Sequence, residues 1–202
     1  TWWRPEGFAL LVRRHLERRT GVTGAGLYGL GRTAMPALIT SPTHETEAHA
    51  LDLMEQVIGL YEWECERLGP SEMAAQAPGQ WCDYNLFFTW SDELCALNLT
   101  CALDLRSPAN RRTAIHELVA LANNRLWVGH FSVEPETGIP SFRHTLLMRG
   151  VQTLPGESME DLIDITLSEC ERFSPAFQFA LWGGKSPQDA LDAAMLDCAG
   201  DA

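Results

Sequence analysis

The residues best placed to do chemistry sit in two neighbouring stretches, Leu126-Trp127-Val128-Gly129-His130-Phe131 and Ser141-Phe142-Arg143-His144. The turn Pro135-Glu136-Thr137-Gly138 separates them. Two imidazoles and a guanidinium on one hairpin point to ligand contact, metal binding or pH sensing. The register decides how they combine. If His130 stands directly opposite His144, the two share a face; an offset of one residue turns them to opposite faces. A zinc-type centre needs three or four ligands. No Asp, Glu or Cys is arranged as a third, so no metal is expected. His130, Arg143 and His144 remain candidate contacts for a partner or ligand. Trp127 and Trp182 join them, because tryptophan is enriched among interface anchors. The alternating pattern predicts that Trp127 and Phe131 are mostly buried, which leaves His130 as the member that can touch a ligand. A Trp127 found in solvent would move the binding surface here.

Catalysis has less support. Asp83, Asp92 and Asp104 offer carboxylates, and His130 and His144 offer bases. Yet the chain holds no G-x-S-x-G, H-E-x-x-H or Cys–His signature. The six cysteines (Cys65, Cys82, Cys95, Cys101, Cys170 and Cys198) form no C-x-x-C pair. Cys95 and Cys101 share the apolar side of one alternating run, which reads as core. The glycine-rich stretch at residues 24–31 lacks G-K-[ST], a preceding strand and a following helix, so it is not read as a phosphate loop. No catalytic residue and no cofactor are expected.

The chain has 202 residues, enough for one sizeable domain. Its formal net charge is −12. Residues 1–45 hold six Arg and three Glu, giving +3; the remainder holds nine Lys+Arg and 24 Asp+Glu, giving −15. An acidic body repels phosphate backbones, so nucleic acid is not expected as a partner, whereas a basic or apolar protein is. Reduced thiols in a cytoplasm are the simpler reading of the cysteines. No apolar run approaches the roughly 18–20 residues of a membrane span. The chain begins with Thr1, which points to processing, truncation or a misplaced start site.

The elements that must position these residues follow from periodicity. Residues 5–19 give a short helix, with Phe8, Leu11, Val12 and Leu16 on one face and Arg13, Arg14, Arg18 and Arg19 elsewhere. It belongs to a basic, poorly ordered extension and linker over residues 1–46, and the folded body is residues 47–202. A helix over 50–59 is stopped by Gly59. A strand over 60–68 puts Tyr61, Trp63 and Cys65 on one side. Residues 71–77 form a weak strand. The clearest hairpin pairs 82–90 with 94–105, through the turn Ser91-Asp92-Glu93. Ser107-Pro108 caps a helix running to about Arg125. The His130/His144 hairpin follows. Ser158 and Asp161 form a capping box for a helix that Pro175 ends or kinks. Residues 176–182 are buried or lie in a partner interface, Gly183-Gly184 stops them, and Ser186-Pro187 caps a last helix.

Several ordered motifs resemble a known family. They are Trp81-Cys82-Asp83-Tyr84, Phe88-Thr89-Trp90, Leu99-Thr100-Cys101-Ala102-Leu103-Asp104, Asn124-Arg125-Leu126-Trp127-Val128-Gly129-His130-Phe131, Phe142-Arg143-His144, Cys170-Glu171-Arg172, and Pro175-Ala176-Phe177-Gln178-Phe179 with Gly183-Gly184-Lys185-Ser186. Over about residues 47–202 the chain resembles the alphaproteobacterial branch of the YbjN-domain family, described as regulators of bacterial sensory transduction. The resemblance implies an α+β fold like that of the type III secretion chaperones: an antiparallel sheet of five to six strands packed by helices, ordered α-β-β-β-α-β-β-α with extra C-terminal helices. It also implies a cytoplasmic, non-catalytic protein that binds a partner polypeptide, and such proteins often dimerise. The alternatives are a small-molecule or metal sensor on the His130/His144 hairpin and, last, a hydrolase.

Overall fold

The computed structural model describes residues 44–151 and 156–199. The basic helix expected at 5–19 and the glycine-rich linker lie outside the described residues. Helix α1 (His44–Leu60) leads into strands β1 (Cys65–Gly69), β2 (Glu72–Ala77), β3 (Tyr84–Ser91) and β4 (Ala96–Ala102). A 3-10 turn (Ala109–Arg111) opens helix α2 (Arg112–Asn123). Strands β5 (His130–Val133) and β6 (Pro140–Leu147) follow, then the long helix α3 (Gly156–Leu181) and helix α4 (Pro187–Ala199). The six strands form one antiparallel sheet in the order β1-β2-β3-β4-β6-β5. The fold is therefore α+β.

Alternation sends one set of side chains to the helices. Met73, Ala75, Tyr84, Leu86, Phe88, Trp90, Leu97, Leu99, Cys101, Phe131 and Phe142 are all buried on that face. Cys65 is exposed, because β1 is an edge strand. The alanine-rich β2 is a full strand despite its poor strand formers. It is flanked by β1 and β3, so its ladder bonds on both sides override local propensity.

Helix α3 crosses this face diagonally. Asp164 meets Tyr61 beside the β1 edge, Cys170 meets Cys101 of β4, and Phe173 and Phe177 meet Phe131 of β5. Pro175 neither ends nor breaks the helix, which runs its full 26 residues. Proline has no N–H to give the Glu171 carbonyl, and such a freed carbonyl must find another donor. The Trp81 indole supplies it at 3.1 Å, while the Gln80 N–H donates to the Glu171 carboxylate at 2.6 Å. The proline thus creates the seat on which the loop before β3 is fixed.

Other starts and stops also move. Helix α1 continues one residue past Gly59. The predicted strand from residue 60 begins only at Cys65: Leu60 ends α1 and a turn at Tyr61 and Glu62 follows, with Glu62 at φ 59°. Ser107 does not cap α2: Pro108 precedes the 3-10 turn and Arg111 holds the cap position of α2, and the buried Ser107 hydroxyl has no hydrogen-bond partner among the described residues. Helix α3 already includes Gly156, which puts Ser158 inside its first turn rather than at a cap. Ser186 does cap α4, accepting the Asp189 N–H at 3.2 Å while its hydroxyl donates to the Asp189 carboxylate at 2.6 Å. Ser186→Ala is expected to cost about 1 kcal/mol, a fall in melting temperature of roughly 2–4 °C by calorimetry. An unchanged melting temperature would mean the cap is redundant.

Candidate functional site

The loop between α2 and β5 is closed at its base by one side chain. The Phe131 N–H donates to Asn123 Oδ1 at 2.7 Å, and Asn123 Nδ2 donates back to the Phe131 carbonyl at 3.1 Å. The asparagine amide therefore stands in for a neighbouring strand at this sheet edge. The helix ends at Asn123, two residues short of the expected Arg125. The Arg125 N–H bonds the Ala122 carbonyl at 2.9 Å, and Leu126 packs part-buried against the core. Arg125 reaches Asp192 of α4 at 3.1 Å, a part-exposed pair worth at most about 1 kcal/mol.

Gly129 then turns the chain into β5 at φ 67°. A Cβ there would lie 2.4 Å from Cζ of Phe142 and 2.9 Å from the Arg143 carbonyl oxygen. Only glycine fits both the left-handed backbone and the close approach. Below it, Phe131 contacts Phe142, Phe173 and Phe177 with ring centroids 5.1–5.3 Å apart, edge-on or tilted. Such arrangements are the favoured ones for aromatic rings.

Trp127 lies on this anchored loop and is 99% exposed. The expectation that it would be buried is therefore wrong, while Phe131 is buried as expected. The physical reason is that residues 126–129 are loop and not strand, so period-2 alternation does not govern them. Val128 beside it is also exposed. Burying an indole removes about 150–250 Å² from water, so leaving it out forgoes roughly 4–6 kcal/mol.

The register places the remaining candidates. His130 pairs with Arg143, and His144 pairs with Leu99. The offset is one residue, so the two histidines face opposite sides of the sheet. His130 and Arg143 share the side away from the helices, and His130 follows Trp127 by three residues. His144 faces the helices, where burial lowers its pKa. Trp182 is exposed but belongs elsewhere. Gly184, two residues on, sits beside Arg111 at the start of α2, whereas Trp127 follows its end. The 12 residues of α2 span about 18 Å. The structure therefore brings His130 and Arg143 together and separates both from His144 and Trp182.

His144 has a pH consequence. Its folded pKa lies below 6.5, so near and below that pH the unfolded chain binds more protons. Its contribution to stability is full above about 6.5 and declines as pH falls toward the folded value. Thermal melts at several pH values are expected to fall more steeply below neutrality for the native chain than for His144→Gln; parallel slopes would contradict this.

Two other groupings carry less chemistry. Cys101 and Cys170 are in contact inside the core with half-buried Cys82 nearby, and burial raises the pKa of Cys82 and Cys170. Protonated thiols of this kind are poor nucleophiles. Among the described residues no three His, Cys, Asp or Glu gather as metal ligands.

A family model described as "Putative bacterial sensory transduction regulator", YbjN, matches residues 50–179. The chain belongs to the YbjN family. The match spans the sheet, the Trp127 loop and most of α3, so the loop is part of the family's domain. Among solved structures, the crystal structure of the ExsC–ExsE complex is similar at 14% identity, covering 63% of this chain and 92% of that chain with a TM-score of 0.43. Comparison with curated proteins gives no match. No described helix of this YbjN-family chain is long and apolar enough to cross a membrane.

Proposed function

We propose that this YbjN-family protein is a non-catalytic, cytoplasmic regulator that binds a partner polypeptide, with Trp127 as the central contact. One observation carries the reading: Trp127 is 99% exposed on a loop whose base is closed by Asn123 and Phe131. An exposed aromatic held in place loses little freedom on binding, and tryptophan is the commonest kind of interface hot spot. Val128 extends the apolar area, and His130 and Arg143 supply polar contacts at its border. His144 and Trp182 are not part of this surface. The family description supports a regulatory setting, and the five cysteines whose side chains are described are free thiols, which suits a reducing compartment. A second copy of the chain is the competing occupant of Trp127.

The test is affinity capture from the source cell with native and Trp127→Ala protein, with mass spectrometry and size measurement on the same preparations. The reading expects a specific protein retained by the native chain and lost from the variant. A native dimer that Trp127→Ala converts to monomer, with no other protein captured, would replace the partner by a second copy. Equal capture by both proteins would remove Trp127 from the site.

A further inference from the structure

The opposite edge of the sheet carries a second, partly exposed aromatic surface, in which Trp63 is half-buried against the core. Leu60 ends α1 with 77% of its surface in solvent, and Tyr61 beside it is 37% exposed. The rings of Tyr61 and Trp63 stack with centroids 4.6 Å apart and planes 20° from parallel. A tight turn brings them together. The Tyr61 N–H donates to the Ile58 carbonyl at 3.1 Å and the Glu62 N–H to the Gly59 carbonyl at 3.2 Å, with Glu62 at φ 59°. A glutamate in the left-handed region is strained where a glycine would not be. That strain sits between the two stacked rings.

The charge around this ledge has one sign. Asp164 and Glu160 of α3 lie close to the Tyr61 hydroxyl. Glu62, Glu64 and Glu66 are exposed along the following chain. Arg67 is the only Lys or Arg between residues 33 and 105, and Asp52 and Glu55 already engage it. Residues 150–171, which include the facing half of α3, contain no Lys or Arg.

We propose that the Leu60–Tyr61–Trp63 ledge docks a basic segment of a partner polypeptide, with an arginine or lysine side chain laid on the stacked rings and an apolar neighbour on Leu60. Aromatic faces attract cations, and a planar guanidinium also stacks on them. The surrounding carboxylates add long-range attraction that salt screens. A second copy fits poorly, because it would set carboxylates against carboxylates, and nucleic acid is repelled. The proposal stands apart from the Trp127 surface, which enters the sheet at β5 while this ledge enters at β1.

The test uses the full chain and a short fluorescein-labelled peptide of alternating Arg and Val, with a counterpart carrying Glu in place of Arg. Anisotropy titration is expected to show binding of the Arg peptide alone, weakened about tenfold between about 50 mM and about 300 mM salt. Tyr61→Ala and Trp63→Ala are expected to weaken it about fivefold, and Trp127→Ala to leave it unchanged. Asp164→Asn, an exposed change with little bearing on folding, is expected to weaken it about threefold; it decides the matter if an aromatic variant fails to fold by circular dichroism. No binding of the Arg peptide, equal binding of the two peptides, or native-like binding by the folded variants would overturn the proposal. Loss of peptide binding in Trp127→Ala would move the basic segment to the other edge.

Discussion

Phe131→Ala is expected to cost about 3–5 kcal/mol, the usual range for removing a buried phenylalanine. The side chain is almost wholly buried and joins β5 to two other elements, through Phe142 of β6 and through Phe173 and Phe177 of α3. Its backbone also closes the loop through Asn123. A cavity here loosens the sheet edge, the helix and the loop together, so collapse around it is difficult. For a chain of this size the melting temperature should fall by roughly 10 °C or more. Calorimetry or denaturant unfolding reads this directly. A loss below about 1 kcal/mol would show that the aromatic cluster repacks and that the loop does not depend on it.

Trp127→Ala, four residues earlier, is expected to behave in the opposite way. Its indole contributes almost nothing to the core, so stability should stay within about 0.5 kcal/mol of native. Partner affinity should drop by about 2 kcal/mol or more, roughly thirtyfold in Kd. Matched melting curves and binding titrations on the two variants separate the roles. A Trp127→Ala protein that melts far below native would mean that the indole packs in solution and would remove the reason for calling it a contact. Trp182→Ala is the natural control, since that exposed tryptophan lies toward the other end of α2.

The sheet was legible because its centre obeys one rule. The apolar residues recur at the even positions of β3 and the odd positions of β4, and both sets are buried, although Asn85, Phe87, Ala96 and Ala102 on the other face are buried as well. The family motifs were legible for the same reason, since many lie on these strands. What the pattern could not reveal were the places where the chain leaves its period. Trp127 and Phe131 look alike by spacing, yet one lies in a loop and the other in a strand, and Gly129 between them is the visible sign of the change. Tyr61 and Trp63 read as one side of a strand, but Glu62 adopts a turn conformation that periodicity does not encode. Pro175 reads as a helix end or kink because its remedy, the Trp81 indole, lies more than ninety residues earlier in the chain. The strand register that sets His130 against Arg143 was open for a related reason: it depends on how the turn closes, not on the strand residues alone.

The diagonal course of α3 makes the domain a gauge of fixed length. The helix touches the neighbourhood of both exposed aromatic surfaces, near Tyr61 through Asp164 and below Trp127 through Phe173 and Phe177. Neither surface can slide relative to the other without dislodging the same rod. Five strand spacings separate β1 from β5, about 24 Å. A single polypeptide that met both would need at least about seven extended residues between its basic and its apolar contact, and a shorter one could hold only one edge at a time.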